Sequence, residues 1–457
     1  MNIPELLLAQ KAFFASQTTK DLSFRKSSLQ RLQAELVKRE NDIVAALHQD
    51  FKKSAYEAVM TETSIVLSEL KLAIKNLGSW SKPKRVRPSI LNFPSSAKIY
   101  KEPYGNTLII APWNYPYQLA IAPVIGAVAA GNTVVLKPSE LTPNTSALIK
   151  SIIENVFDSR HVAVVEGGIP ETQELLAQRW DYLFFTGSVP VGKIVAKAAA
   201  EHLTPVTLEL GGKSPCIVDD SASIDLAAKR IVWGKFINGG QTCIAPDYLL
   251  IHPSVKDAFV EAFKKEVAKA YGENPENSED FPRIVNTKNF DRLTKMLENE
   301  TCLIGGTSNR EDCYIAPTLI DEPSLDSEVM KGEIFGPILP LVTFHSEQDL
   351  ERIIGTYDKP LALYVFTGKK AFAKRIIQRY SFGGGTINDT TVHFANHRLP
   401  FGGVGESGIG GYHGKQSFDT FSHHKGVVSR GTWLDIPTRY APYKGKLKQL
   451  KTLMKFG

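Results

Sequence analysis

Cys243 ends the run Phe236-Ile237-Asn238-Gly239-Gly240-Gln241-Thr242-Cys243, a polar loop with two adjacent glycines. Such a loop can approach a ligand closely and present a sulfur nucleophile to it. A lone cysteine is equally a small hydrophobe suited to burial, so composition leaves both readings open. Glu209, beside the glycines of Leu208-Glu209-Leu210-Gly211-Gly212-Lys213, reads by itself as a solvated carboxylate. Asn114, between the prolines of Pro112-Trp113-Asn114-Tyr115-Pro116, reads by itself as a turn or capping residue.

Two glycine motifs compete for attention. The run from Gly187 to Ile194 nearly matches a phosphate-cradling loop, but Ile194 stands where a magnesium-holding hydroxyl is needed, so nucleoside triphosphate chemistry is not expected. The same run follows an apolar β-type stretch and precedes a helical one. Gly187 and Ser188 could therefore offer backbone N–H groups and a helix N-terminus to a pyrophosphate. Gly403-Val404-Gly405-Glu406-Ser407-Gly408 matches G-x-G-x-x-G but has no strand–helix context, and a tight loop is expected there.

The elements that must position these residues follow from periodicity. Leu29, Leu32, Leu36, Ile43 and Leu47 share a helical face within a largely helical first eighty residues. Prolines 83, 88 and 94 mark an extended excursion, read as a hairpin, that leaves this helical region. From residue 105, β-type runs alternate with helical stretches: Thr107–Ile110, Thr133–Leu136, Val162–Val165, Tyr182–Phe185 and Val206–Leu210. That alternation predicts a parallel sheet covered by helices on both faces. It restarts after Gly211 with Cys216–Val218, Tyr248–Ile251, Leu339–Phe344 and Leu363–Phe366, predicting a second α/β domain. The uncharged run Tyr115–Leu136 is interrupted by Pro116, Pro123, Gly126, Gly131 and Asn132, so a helix and a buried strand are expected, not a membrane span.

Composition narrows the function classes. The 457 residues are 43% hydrophobic and 22% charged, enough for more than one packed domain. A net charge of +6, with basic and acidic residues interleaved, gives no footprint for nucleic acid. Cys216, Cys243, Cys302 and Cys313 form neither a C-x-x-C pair nor a zinc-ligand spacing, so no metal and a reducing, cytoplasmic compartment are expected. The N-terminal patch Leu6-Leu7-Leu8 lacks the flanks of a signal peptide.

Six segments together resemble the aldehyde dehydrogenase superfamily. They are Pro112–Pro116, Lys137-Pro138-Ser139-Glu140, Phe184-Phe185-Thr186-Gly187-Ser188, Leu208–Lys213, the Cys243 loop and Glu333-Ile334-Phe335-Gly336-Pro337, in the family's order and rough spacing. The stretches Pro400–Gly408, Tyr412-His413-Gly414 through Ser422-His423-His424, and Arg439–Tyr443 resemble its class 3, fatty-aldehyde branch, with Ala441 departing from the commoner proline. The resemblance implies NAD(P)-dependent oxidation of aldehydes, of medium to long aliphatic or aromatic type, to carboxylic acids.

Hydride transfer from an aldehyde requires a tetrahedral carbon bearing O⁻. The resemblance makes Cys243 the nucleophile that creates it, forming a thiohemiacetal and then a thioester. A free thiol is only a few per cent ionised near neutral pH, about two pH units or less below its pKa, so local activation is expected. The resemblance assigns the Asn114 amide and the Cys243 backbone N–H to the oxyanion, and Glu209 to activation of the hydrolytic water. It assigns Lys137 and Glu140 to the adenosine ribose, Ser188 and Gly187 to the pyrophosphate, Thr186 to the nicotinamide, Glu333 to the nicotinamide ribose, and Trp113 and Phe335 to its surroundings. Glu140 would repel a 2′-phosphate that Lys137 could accommodate, so NAD is expected, with NADP also used. No histidine receives a role; His393, His397, His413, His423 and His424 read as structural or surface residues.

The implied fold is a Rossmann-like NAD-binding domain (1–82 and 103–210), an α/β catalytic domain (211–420), and a small β oligomerisation flap and tail (83–102 and 421–445). The flap is expected to include a late strand near Lys425–Ser429. A basic tail follows at 446–457, where Leu447, Leu450 and Met454 could share one apolar helical face. The family's short members imply a homodimer, and the lack of an apolar C-terminal anchor implies at most peripheral membrane contact through that tail. Two alternatives remain at this stage. An acylating or phosphate-reducing relative is disfavoured by Glu209, and a non-catalytic protein that keeps the scaffold is disfavoured by intact Cys243, Asn114, Glu209 and Glu333.

Overall fold

The computed structural model describes residues 2–89, 92–435 and 437–456. The first helices are Ile3–Ala15, Leu22–Lys38 and Glu40–Phe51, followed by Ala55–Ala58, which runs through one π-helical turn (Val59–Thr63) into Ser64–Trp80. Leu29, Leu32, Leu36, Ile43 and Leu47 are each at most 1% exposed. They lie on two helices, because Arg39 leaves helical geometry (φ −99°, ψ 12°) between them.

The uncharged stretch forms the helix Gln118–Ala130, buried along its whole length, and then the strand Thr133–Lys137. Gly131 closes the helix with φ 101°, a left-handed conformation that glycine adopts without a Cβ clash. Among the described residues no helix is long and apolar enough to cross a membrane.

Five parallel strands and one short antiparallel edge make the first sheet. Its spatial order is Gly408–Ile409, Val206–Glu209, Tyr182–Thr186, Asn106–Ile110, Thr133–Lys137, Val162–Val164. The chain thus starts in the middle of the sheet, winds outward one way and then returns to wind the other. This is the doubly wound order of Rossmann-like sheets, with its switch point between Asn106–Ile110 and Tyr182–Thr186. The G-x-G-x-x-G run is a tight loop, with one 3₁₀ turn at Gly405–Ser407 leading into the edge strand that pairs with Leu208 and Glu209.

The second sheet has seven strands, in the order Cys302–Ile304, Thr318–Asp321, Ile338–Thr343, Tyr248–Ile251, Pro215–Val218, Ala362–Phe366, Gly384–Ile387. All its neighbours pair in parallel except the first two strands. Periodicity passed over Cys302–Ile304, Thr318–Asp321 and Gly384–Ile387. The first is half-exposed, and the last begins with two glycines and has little apolar side chain to report.

A third sheet stands apart, built from Lys84–Val86, Ser95–Pro103 and Ser422–Arg430, all antiparallel. The late strand is longer than Lys425–Ser429, pairing from Ser422 opposite Pro103 to Arg430 opposite Ser95. The tail carries a short helix, Leu447–Leu453, with Leu447, Leu450 and Met454 exposed.

Candidate active site

Parallel strands in register bring chemistry to one edge of the first sheet. Ile110 pairs with Lys137 on one side and with Phe185 on the other, and Thr186 pairs with Glu209. Lys137, Thr186 and Glu209 are therefore the carboxyl-terminal residues of three strands in a run of four, and Asn114 follows the fourth, Asn106–Ile110, which lies between the strands of Lys137 and Thr186. The loops after Ile110 and after Thr186 flank the switch point, where open α/β sheets form a ligand crevice.

The cysteine loop arrives from the second sheet's side and takes an unusual path. Asn238, Gly239 and Gly240 are all left-handed (φ 55°, 62° and 74°), so the chain reverses sharply after the helix Ile224–Phe236. Gly240 cannot be replaced cheaply, since a Cβ there would run into the Gly336 carbonyl. Gln241 locks the loop from within: its Nε2 donates to the carbonyls of Asn238 and Arg283, both at 3.0 Å, and its Oε1 accepts Val285 N–H at 3.0 Å. The Asn114 loop is tied to it directly. Asn114 Nδ2 donates to Gln241 O at 3.0 Å, Asn238 Nδ2 donates to Asn114 O at 2.7 Å, and Tyr115 Oη meets Thr242 Oγ1 at 2.6 Å.

These loops close one end of a cavity of about 200 Å³ lined by both Cys243 and Glu209. Its remaining walls are largely apolar, including Leu119, Trp233, Ile237, Phe394, Phe401 and Tyr412. Glu209 is 3% exposed and neither carboxylate oxygen has a hydrogen-bond partner among the described residues. Burial without compensation holds its carboxyl well above the ordinary carboxylate range. Cys243 is partly buried, and its thiol is raised by that burial, reinforced by the Glu333 and Glu209 carboxylates. The N–H groups of Cys243 and Ile244 oppose this shift only in part. The local activation expected from the sequence is thus not a property of the resting cavity, because apolar walls and two acidic neighbours all favour the neutral thiol.

A match to the aldehyde dehydrogenase family spans residues 6–427. The chain belongs to that family. It is 51% identical over 447 residues to the 4,4′-diaponeurosporen-aldehyde dehydrogenase of Staphylococcus aureus, covering 97% of each chain. It is 43% identical to a dimeric NADP-preferring aldehyde dehydrogenase of Canis lupus familiaris, covering 97% of this chain and 99% of the relative. A solved structure described as the substrate-bound state of Staphylococcus aureus AldH superposes with a TM-score of 0.97 at 50% identity, covering 99% of this chain and all of that one. The similarity is to class 3 members, and the dehydrogenase oxidises aldehydes to carboxylic acids with NAD or NADP.

The dehydrogenase has groups that suit a dinucleotide along the crevice. Lys137 is 3% exposed, and its Nζ is held by the exposed Glu140 carboxylate at 2.6 Å, which places a cation and an acceptor at the rim. Ser188 is the N-cap of Val189–Glu201, and its side chain makes no capping bond, leaving the helix N-terminus open toward the crevice mouth. The hydroxyl of Thr186 is buried and unpartnered, as is the Glu209 carboxylate beside it in register. Trp113 meets Phe335 edge to face with ring centres 5.2 Å apart, and Phe335 holds a left-handed φ of 53°. These groups fit the cofactor, which when bound supplies the carbon that accepts the hydride.

Glu333 reaches the same region from the other domain. Lys213 Nζ bridges Asp247 (2.7 Å), the Val329 carbonyl (2.9 Å) and the Gly332 carbonyl (3.0 Å), while Asp247 Oδ1 accepts Ile334 N–H at 2.9 Å. Two motifs distant in sequence, Leu208–Lys213 and Glu333–Pro337, thereby become one structural unit. Burial and the Asp247 carboxylate push Glu333 up to about 8, against the Gly212 N–H, Arg292 and Lys213.

Several residues of the site carry no sequence signal. Met60 and Thr61 line the cavity from the π-helical turn, and Val392 and Phe394 line it from a late loop. Lys235 is fully buried, its Nζ unpartnered among the described residues, and burial lowers it to about 8 beside Asp247, Lys213 and Glu333. Half-buried His393 and buried His413 belong to an aromatic cluster with Phe394, Phe401 and Tyr412 behind the cavity, and burial lowers them to about 4 and about 3. His423 and His424 are exposed on the third sheet.

Proposed function

We propose that Cys243 is the nucleophile, Asn114 and the Cys243 backbone N–H the oxyanion donors, and Glu209 the base that activates the hydrolytic water, for aldehydes with medium to long aliphatic or aromatic groups. The observation that carries this is one apolar cavity lined by a thiol and an unpartnered carboxyl. An aldehyde carbon beside Cys243 Sγ accepts the sulfur's electron pair, and its oxygen takes the developing charge. The Asn114 amide donates to Gln241 O in the loop that carries Cys243, and in this reading it turns from that carbonyl to the substrate oxygen. Asn114→Ala is expected to lower kcat by about 10²–10³, the usual cost of one oxyanion donor, with aldehyde binding little changed. A loss below about threefold in steady-state assays would remove it from that role.

The apolar walls support the substrate class. Each methylene buried there contributes about 0.8 kcal/mol, close to fourfold in kcat/KM. A rate screen is expected to rise from acetaldehyde to octanal; a flat or falling series counts against the reading.

For the cofactor, Lys137 and Glu140 would grip the adenosine ribose, Gly187 and Ser188 the pyrophosphate, and Glu333 the nicotinamide ribose. Trp113, Thr186 and Phe335 would border the nicotinamide end. NAD is the preferred oxidant in this reading because Glu140 disfavours a 2′-phosphate. The proposed division into domains at 1–82 with 103–210, and 211–420, is supported by the two large sheets, although Gly408–Ile409 from the second segment crosses to the edge of the first sheet. The third sheet is proposed as the dimer contact: its strand Ser422–Arg430 has a free edge, and Val427 and Val428 are 43% and 49% exposed. Sedimentation velocity tests that assembly. Four free cysteines support a reducing, cytoplasmic setting.

A further inference from the structure

The helices at the start of the chain do more than cover the sheet. Glu57, 8% exposed, reaches the cysteine loop and accepts the Asn238 backbone N–H on Oε1 at 2.9 Å. Asn238 is the first of the three left-handed residues, and its side chain bridges the two catalytic loops through Asn114 O (2.7 Å) and Gln241 O (3.2 Å). Among the described residues, the other hydrogen bonds of residues 238–242 run to the loop itself, to the Asn114 segment or to residues 283–285. Glu57 is the tie from the first helices.

We propose that Glu57 is a positioning residue for aldehyde oxidation, holding Asn238 so that Cys243 and Asn114 face one substrate carbon. This rests on the reading that Cys243 and Asn114 perform the addition step. Without Glu57 the Asn238 N–H would be a buried donor with no partner, and the left-handed turn would lose its outer support. The same helical segment forms the cavity wall. Thr61 Oγ1 donates to Glu57 O at 2.7 Å across the π-helical turn, and Met60 and Thr61 line the cavity. π-Turns of this kind recur where a helix serves a site.

The charge state of Glu57 sets how strongly it holds. Burial raises its carboxyl to about 7; Lys53 and the Asn238 N–H oppose this, while Glu62 and Asp280 reinforce it. Tyr115 and Tyr271 are the remaining titratable groups that face it. Lys53 is itself committed to Glu62, at 2.7 Å with both fully buried. Glu62 Oε2 accepts the N–H groups of Tyr117 (3.0 Å) and Gln118 (3.1 Å), which open the helix behind Asn114. A charged Glu57 accepts the Asn238 N–H more strongly than a protonated one. Its contribution therefore grows as pH rises through about 7.

The test compares wild type with Glu57→Gln, which keeps an acceptor oxygen but cannot ionise. The ratio of wild-type to variant kcat cancels the titrations of Cys243 and Glu209. It is expected to stay within about twofold at pH 6 and to reach about fivefold at pH 8.5, the difference between a neutral and a charged acceptor. The rate of Cys243 alkylation by iodoacetamide, measured without cofactor, should show the same trend in its ratio, with the NAD dissociation constant unchanged. Glu57→Ala should lower kcat about tenfold or more at every pH. A ratio flat with pH in both assays overturns the proposal, whether or not the alanine variant folds. Cys243→Ala measured alongside keeps the two readings apart. If it turns over, the nucleophile assignment fails; if it is inert while the Glu57 ratio is flat, only the positioning role fails.

Discussion

Cys243→Ala is expected to abolish aldehyde oxidation, with a loss of at least about 10⁴-fold in kcat, as for nucleophiles that act as part of a unit. The aldehyde carbon is planar and holds its hydrogen firmly; only after a nucleophile adds does the oxygen's charge drive hydride departure. The neighbouring acids cannot substitute. Burial holds Glu209 well above the ordinary carboxylate range and Glu333 up to about 8, and a carboxylate adds to an aldehyde far less readily than a thiolate. Cofactor binding should survive, because the groups proposed to grip the dinucleotide lie along the strand ends and the Ser188 helix N-terminus. Stopped-flow absorbance at the NADH band and a titration with NAD check both halves. A variant with more than about one per cent of wild-type turnover would remove Cys243 from the mechanism, since that exceeds the residual activity left by binding and oxyanion donors.

Glu209→Gln is expected to separate the two halves of the reaction. The thiol and the oxyanion donors remain, so one hydride per site should be released in a rapid burst. The acyl group then stays on Cys243, because a neutral amide cannot take a proton from the attacking water. The steady state should fall by about 10²–10⁴, the range for general-base catalysis, and quenched protein should carry an acyl adduct by intact mass. Burial holds the wild-type Glu209 carboxyl well above its usual range. It is charged only as pH rises, so the wild-type slow step should accelerate with pH while the variant's does not. A variant without a burst places Glu209 before hydride transfer, as the base for the thiol. One that turns over at the wild-type rate removes it from both steps.

The sequence motifs and the folded site overlap unevenly. Local pattern left Cys243 open between nucleophile and buried hydrophobe and read Glu209 as a solvated carboxylate; the family resemblance gave both their roles, and the fold sets them on one cavity. Asn114 reaches the same loops through Gln241 and Asn238. The parallel strands of the first sheet were legible because they are short apolar runs, mostly buried on both faces and bounded by turn residues; its antiparallel edge Gly408–Ile409 was not. Gly384–Ile387 was not, because its glycines offer no side-chain pattern. Glu57 and Lys235 look in sequence like ordinary charges on amphipathic helices. Their burial is set by elements far along the chain, which no local periodicity reports.

By itself the sequence determined the kinds of element, the order in which the first sheet's strands follow the chain, and the residues able to do chemistry. Side-chain periodicity and turn residues act over a few positions, and those features are local. Tertiary structure alone decided which strands are neighbours, and hence that Thr186 ends beside Glu209, and Lys137 beside Ile110, at the same end of one sheet. It also decided the electrostatics. Cys243, Glu209 and Glu333 are shifted upward because apolar walls from distant segments remove water and leave little to stabilise charge. Residue type names the group that can react; its surroundings, assembled from separate parts of the chain, set when that group is charged.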